Sequence, residues 1–208
     1  MIRVLTALGG YVNHQTVVCH GVSLNVVDFG GTGEPIILLH GAMSRAANWF
    51  DVAQWLKERF HVIAFDQRGH GRSDKPATGY MRDDFVQDLI GVMDQLGIRR
   101  AHLIGHSLGG LNAWVTAALY PERVESLIIE DMGAETWPAE KIEQWRIWFD
   151  SWPLPFPCLK EARRYFASLR HAFADHFMEL LEERESGYWP IFSFEMVLEV
   201  VRGIAMKS

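Results

Sequence analysis

The sequence is poor in cysteine, since its 208 residues include only Cys19 and Cys158. Two cysteines form one disulfide at most, which excludes a small secreted scaffold held together by several disulfides. No grouping of cysteine and histidine has the spacing of a zinc site, so we expect neither a metal nor a cofactor. The cysteine content favours a reduced, cytoplasmic protein.

Long apolar runs and an excess of positive charge are also missing. The longest uninterrupted apolar runs span about four to five residues, against roughly 18 or more for a membrane-spanning helix. Residues 1–10 are too weakly apolar and carry too little positive charge for a signal peptide. Lysine and arginine total 20 against 26 aspartates and glutamates, a net charge of -6. We therefore expect no membrane and no nucleic acid as partner.

The hydrophobic residues that are present, 49% of the chain, lie in short and regularly spaced segments. Residues 16–29 are rich in β-branched side chains and break at Gly21, which predicts two antiparallel strands at a sheet edge. Other apolar segments are too short for helices and predict buried parallel strands, at residues 36–39, 62–65, 102–104 and 124–129. Helical patterns separate these segments. The alternation predicts an α/β fold with a mostly parallel sheet and flanking helices over residues 1–133.

The composition changes after residue 133. Residues 134–208 hold 14 of the 25 aromatic residues and contain no segment with a clear strand pattern, so we predict a helical cap segment there. Its helices are expected around residues 138–149, over 159–183 and over 194–206. The aromatic side chains either roof an apolar pocket or pack the cap helices together. They are Trp137, Trp145, Trp148, Trp152, Phe156 and Trp189, and we favour packing for each of them.

The stretch most informative about chemistry is AHLIGHSLGG, residues 101–110, which contains the pattern G-x-S-x-G at Gly105, Ser107 and Gly109. The pattern stands where a predicted strand gives way to a predicted helix. A serine at such a sharp turn is projected above the sheet, and the flanking glycines remove side chains that would clash. The Leu108 amide at the start of the helix can donate a hydrogen bond to a developing oxyanion.

Two further motifs follow predicted strands. The segment His40-Gly41-Ala42-Met43 comes after residues 36–39, and Asp66-Gln67-Arg68-Gly69-His70-Gly71-Arg72-Ser73-Asp74 comes after residues 62–65. With the serine motif, they resemble the α/β-hydrolase fold family: an HG oxyanion loop, a D-x-R-G-x-G-x-S-D loop and a serine elbow, in family order. The resemblance is close over residues 18–133 and general over the cap segment.

The resemblance implies roles for individual residues. Ser107 matches the nucleophile of the family, and Ala42 and Leu108 match the two backbone donors of its oxyanion hole. The loop from Asp66 to Asp74 is interpreted as structural. Serine at the elbow disfavours the relatives that use an aspartate nucleophile, namely epoxide hydrolases and dehalogenases.

The chain departs from the family after its cap segment. The resemblance implies an acid and a histidine on later strands, and no such strands precede Ser208, so we expect the fold to be incomplete at its C-terminal side. Weak candidates within the chain are Asp131, which follows a strand, and His171 and His176 on the cap. We favour a structural role for Asp131, in which its carboxylate binds loop amides. The uncovered sheet edge predicts self-association or a second chain that completes the sheet.

Two functions are consistent with this sequence. The first is a serine hydrolase that acts on a small apolar substrate with a carbonyl group, whether an ester, a thioester, a lactone or a carbon–carbon bond beside a carbonyl. The second is a non-catalytic member of the family that binds a small apolar ligand or partner, which the absence of an acid and a base supports. We favour the enzyme, because all three motifs are intact.

Overall fold

A computed structural model describes residues 2–5, 11–133, 138, 140–169 and 171–205. Its main feature is a seven-stranded sheet with the strand order β1-β2-β3-β5-β4-β6-β7. The strands are β1 (Ile2–Leu5), β2 (Tyr11–Cys19), β3 (Val22–Gly30), β4 (Glu34–Leu39), β5 (Phe60–Phe65), β6 (Ala101–His106) and β7 (Val124–Glu130). The helices between the later strands are α1 (Phe50–Leu56), α2 (Arg82–Gln95) and α3 (Leu108–Leu119).

The direction of the strands confirms the predicted fold class. Strands β4, β5, β6 and β7 run parallel to one another, while β1, β2, β3 and β5 pair in antiparallel fashion. The predicted antiparallel pair is β2 and β3, and β1 has no counterpart in the prediction.

Both faces of the sheet are covered, which explains the short continuous apolar segments. Ile36 and Leu38 of β4 pack with α1, whereas Ile37 and Leu39 point to the opposite face and pack with α2. All four side chains are almost fully buried. Successive residues of a strand point to opposite faces, so β4 needs apolar residues at every position.

The carboxyl ends of the four parallel strands meet at one edge of the sheet. The segments that leave this edge begin at His40, Asp66, Ser107 and Asp131. Ligand sites of α/β sheets lie at this edge. The topology therefore gathers the three sequence motifs at one place.

The cap segment differs from its prediction. It contains α4 (Glu140–Asp150), α5 (Leu159–Leu169), α6 (His171–Met178), β8 (Leu181–Arg184), β9 (Gly187–Pro190) and α7 (Phe194–Ala205). The single helix predicted over residues 159–183 is wrong, because it is divided into α5, α6 and a strand. The helix predicted from residue 194 is confirmed as α7 as far as Ala205.

The β8–β9 hairpin is stabilised by backbone contacts with a segment that lies earlier in the chain. Tyr188 and Phe156 exchange two backbone hydrogen bonds, of 2.8 and 3.1 Å, so that the hairpin is joined to the loop before α5. Gly187, the first residue of β9 after the turn, has a φ of 125°, a conformation that favours glycine. The charged residues of β8 have a composition that also suits a solvated helix, and these long-range contacts override that preference.

Most of the aromatic side chains of the cap pack in one apolar cluster. Trp152, Phe156 and Phe166 are buried in it, and Trp145 and Trp148 pack against it. The preferred packing interpretation is thus correct for these tryptophans and for Phe156, while Trp137 lies outside the described residues. The cluster also contains Leu108 and Met43 of the core, so the cap covers the edge where the motifs meet.

Strand β7 forms one edge of the described sheet, and its side chains at Ile128 and Ile129 are exposed. The open edge predicted beside this strand is therefore present in the part of the chain that the structure describes. Across the same ranges, no helix combines the length and the apolar character needed to cross a membrane.

Candidate active site

Ser107 lies in a strained turn between β6 and α3. Its backbone has φ 50° and ψ -115°, a conformation that non-glycine residues rarely adopt. Its amide donates a hydrogen bond of 2.8 Å to the carbonyl of Glu130 on β7. Such strain persists where the surrounding structure fixes it, and it clusters at functional sites. The side chain of Ser107 is thereby held at the sheet edge, as the motif predicts.

Glycines allow the close approach of the elements around this serine. A β-carbon at Gly105 would lie 2.3 Å from the carbonyl oxygen of Gly109, and one at Gly109 would lie 2.2 Å from the carbonyl oxygen of Leu39. Neither contact is sterically possible. The glycines of the motif therefore permit α3 to start directly against the ends of β4 and β6.

The loop after β4 lies next to Ser107. A β-carbon at Gly41 would come within 3.3 Å of the Ser107 β-carbon and 2.7 Å of Nδ1 of His106. Met43, two residues later, has a φ of 62°, in the left-handed region. The predicted oxyanion residues Ala42 and Leu108 thus come from two segments that meet at Ser107, since Leu108 is the first residue of α3.

Three buried polar side chains connect this loop to the rest of the core. The Nδ1 atom of His40 is 2.8 Å from the Gly41 carbonyl oxygen, and the Gln67 amide donates to Nε2 of His40 at 3.0 Å. The Gln67 side chain donates to the His40 carbonyl, and Nδ2 of Asn112 on α3 donates to Oε1 of Gln67 at 2.7 Å. Burial lowers the pKa of the His40 imidazole. The sequence motifs predicted neither the contacts of Gln67 nor any role for Asn112.

The Asp66–Asp74 loop has the contacts of a structural element. The Asp66 carboxylate accepts hydrogen bonds from the amides of Ala46 and Arg72, at 2.7 and 2.8 Å. Asp74 accepts one from the Ser23 amide, which lowers the pKa of its carboxyl group. These contacts agree with the interpretation of the loop as structural.

Arg68 of the same loop forms a buried ion pair. Its Nε and Nη2 atoms donate to the two carboxylate oxygens of Asp88 on α2, at 2.6 and 2.7 Å. Burial raises the pKa of the Asp88 carboxyl group, although the hydrogen bond and charge of Arg68 oppose that rise. The pair joins the loop to α2. No sequence motif indicates that Asp88 is the partner of Arg68, because the two residues lie 20 positions apart in the chain.

Asp131 and His106 stand at neighbouring strand ends. Oδ2 of Asp131 is 3.9 Å from Nε2 of His106, and the two side chains are 85% and 42% exposed. Asp131 has a φ of 53°. The described residues offer its carboxylate no hydrogen bond from a loop amide, so the reason given for a structural role is not supported by its contacts.

His171 and His176 both lie on α6, but the structure describes only the side chain of His176. His176 is half-buried, and burial lowers the pKa of its imidazole. The charges of His106 and Arg45 lower that pKa further, while Glu179 opposes them. Because His176 is half-buried, it does not lie on a fully solvated face of the helix. The side chain of His171 lies outside the described residues.

A cleft of about 910 Å³ opens beside the site, between the core and the β8–β9 hairpin. Its walls include the apolar rings of Trp189 and Phe192 and the cationic side chains of Arg45 and Arg72. Ser107 does not line this cleft. Within the described ranges, no group of histidine, cysteine and acidic residues has the arrangement of a metal site.

Residues 34–187 match a protein-family model described as the alpha/beta hydrolase fold. The chain is 42% identical, over 110 residues, to a 2-(acetamidomethylene)succinate hydrolase of Mesorhizobium japonicum. It is 30% identical, over 167 residues, to epoxide hydrolase 4 of Homo sapiens. These matches cover 53% and 75% of the chain but 39% and 46% of the two relatives. The aligned segments thus span less than half of the length of either relative.

A solved structure of a hydrolase with a similar name also resembles this chain. The crystal structure of an E-2-(acetamidomethylene)succinate hydrolase superposes with a TM-score of 0.80 and 28% identity, over 94% of this chain and 74% of that chain. The family match includes the loop after β4, the Asp66–Asp74 loop and the serine turn. The chain belongs to the alpha/beta hydrolase fold family.

Proposed function

We propose that this protein is a serine hydrolase in which Ser107 attacks a carbonyl carbon and the amides of Ala42 and Leu108 bind the resulting oxyanion. The observation that carries the proposal is the backbone of Ser107, with φ 50° and ψ -115° at the junction of β6 and α3. A non-glycine residue in this conformation costs about 1–3 kcal/mol. The strained conformation has a functional explanation, because it exposes the hydroxyl of a nucleophile at the sheet edge.

The neighbouring segments support the oxyanion hole. Leu108 is the first residue of α3, so its amide has no partner within the helix. Gly41 packs against Ser107, and the next amide is that of Ala42. Two backbone donors beside one nucleophile suit the tetrahedral intermediate of acyl transfer.

The proposed substrates are small, largely apolar compounds with a reactive carbonyl: an ester, a thioester, a lactone or a carbon–carbon bond beside a carbonyl. A serine nucleophile forms an acyl ester with such groups. The apolar cluster of the cap reaches Leu108 and packs against Ala42, which favours an apolar acyl group. We therefore propose carbonyl substrates, although epoxide hydrolases occur among the relatives.

One observation favours a second function. None of the histidine side chains that the structure describes forms a hydrogen bond with the Ser107 hydroxyl, and a serine is a weak nucleophile without a base. The second candidate is therefore a binding protein whose ligand occupies the cleft next to Trp189 and Phe192.

Release of p-nitrophenolate from p-nitrophenyl esters of increasing acyl length separates the two functions. The hydrolase predicts an acyl adduct on Ser107 in wild-type protein and none in Ser107→Ala. Ser151→Ala is the control, because Ser151 is an exposed cap serine. Ester cleavage that persists in Ser107→Ala would contradict the hydrolase. Ligand binding with no adduct on the wild-type protein would support the binding protein.

A further inference from the structure

We propose that His40 is a positioning residue, which orients the Gly41–Ala42 peptide so that the Ala42 amide faces the oxyanion. This inference rests on the proposed function, because the oxyanion forms only if Ser107 attacks a carbonyl. Its structural part, the protonation and contacts of His40, is independent of catalysis.

The two partners of His40 define where its proton lies. The Gln67 backbone amide can only donate, and it is 3.0 Å from Nε2, so Nε2 must be unprotonated. The Gly41 carbonyl oxygen can only accept, and it is 2.8 Å from Nδ1, so Nδ1 must carry the proton. Burial keeps the ring neutral, since His40 is 1% exposed. The ring therefore donates a fixed hydrogen bond to the Gly41 carbonyl.

This bond fixes the direction of the next amide. The Gly41 carbonyl and the Ala42 N–H belong to the same peptide group, which is planar and trans, so they point in opposite directions. Holding the carbonyl on the His40 ring turns the Ala42 N–H away from that ring. The Ser44 amide also donates to the Gly41 carbonyl, at 3.2 Å, but it belongs to the same short turn and cannot anchor that turn to the core.

The turn needs such an anchor because it is strained. Met43 has a φ of 62°, and strained residues keep their conformation only where their surroundings fix them. The anchor is rigid, because His40 is held by Gln67, and Gln67 is held by Asn112 of α3. All three residues are 1% exposed. Since α3 begins at Leu108, the same network couples both proposed oxyanion donors.

Three substitutions of His40 separate orientation from general structural support. In His40→Asn, the side-chain amide nitrogen occupies roughly the position of Nδ1 and can still donate to the Gly41 carbonyl. In His40→Gln, the side-chain oxygen reaches the position of Nε2 and can accept from the Gln67 amide, but the donor to Gly41 is lost. His40→Ala loses both contacts. Asn and Gln each leave one buried contact unmade, so their effects on stability should be similar.

The readout is the second-order rate constant for labelling of Ser107 by a fluorophosphonate, with thermal unfolding measured on each variant. In known enzymes, removal of one oxyanion donor lowers kcat by about 100- to 1000-fold. We expect His40→Ala and His40→Gln to lose about 10- to 100-fold, because the donor is retained but misdirected. His40→Asn should recover most of that loss. Equal rates in His40→Asn and His40→Gln would overturn the proposal.

A second measurement keeps the test decisive if the variants do not fold. Long-range ¹H–¹⁵N correlation spectra of the wild-type protein should show His40 protonated at Nδ1 and unprotonated at Nε2. The opposite tautomer, or a charged ring at neutral pH, would overturn the proposal without bearing on Ser107. Conversely, labelling that is absent from wild-type protein, or that persists in Ser107→Ala, overturns the proposed function and the positioning role of His40 with it.

Discussion

The amide of Ser107 donates a hydrogen bond of 2.8 Å to the carbonyl of Glu130, which ties the serine turn to the end of the neighbouring strand β7. Asp131 follows directly, with its carboxylate 3.9 Å from His106 and largely exposed. An acidic residue is thus adjacent to the proposed nucleophile, although an acid assists a serine only through a histidine that it orients.

We predict that Asp131→Asn leaves the rate of Ser107 labelling in this chain unchanged. No described histidine bridges Asp131 and the Ser107 hydroxyl, so the carboxylate has no route to the nucleophile. The loss of a triad acid costs about 10⁴-fold in kcat, so the two outcomes are easily distinguished. A fall of that size in a variant that remains folded would show that Asp131 acts as the acid.

Gly109→Ala should destabilise the protein by about 3 kcal/mol, because the new methyl group would overlap the Leu39 carbonyl and force α3 away from β4. Gly97→Ala is the matched control: Gly97 has a φ of 69° but open space around its α-carbon, so the cost there is about 1 kcal/mol. Urea denaturation measures both values. Equal values would refute the close approach of α3 and β4.

Asp88→Asn should cost about 3–5 kcal/mol of the free energy of unfolding. The substitution removes the buried counter-charge of Arg68 and leaves only Asp84, which is 35% exposed and lies 3.5 Å from Nη1 of Arg68. A broken buried pair is strongly destabilising. In the control Asp94→Asn, the lost partner of Arg123 is 61% exposed, and such pairs contribute at most about 1 kcal/mol. A loss below about 1 kcal/mol in Asp88→Asn would contradict the anchoring role of Arg68.

The stability of the protein should fall in mild acid because of His70. Burial lowers the pKa of its imidazole to about 3, and the charge of Lys75 acts in the same direction. An unfolded histidine has a pKa of about 6.5, so between pH 6.5 and 3 the unfolded state binds the extra proton. The free energy of unfolding then decreases by up to about 1.4 kcal/mol for each pH unit of acidification.

Denaturation of wild-type protein and His70→Asn at pH 6 and pH 5 isolates this effect. Asparagine can preserve the hydrogen bond from Nδ1 to the Arg68 carbonyl, which is 2.9 Å long. The variant should show a smaller dependence on pH by up to about 1.4 kcal/mol per unit. The same slope in both proteins would mean that His70 is protonated alike in the folded and unfolded states.

The parts of the fold that were predicted correctly depend on local pattern. The strands around Ile37 and Leu39 follow from short apolar segments, and the turn at Ser107 follows from its flanking glycines. Local pattern carries no information about the partners of Arg68 and Gln67, because Asp88 and Asn112 lie 20 and 45 residues away in the chain. The β8–β9 hairpin was not predicted either, because it pairs with Phe156, which is distant in the sequence.

The central claim is that Ser107 is a nucleophile, and covalent labelling tests it most directly. Wild-type protein, Ser107→Ala and Ser151→Ala are incubated with a fluorophosphonate, and the modified peptide is identified by mass spectrometry. The account predicts a single adduct on Ser107 in the wild type and in Ser151→Ala, and none in Ser107→Ala. Labelling of Ser107→Ala equal to that of the wild type, or an adduct on another residue, would contradict it.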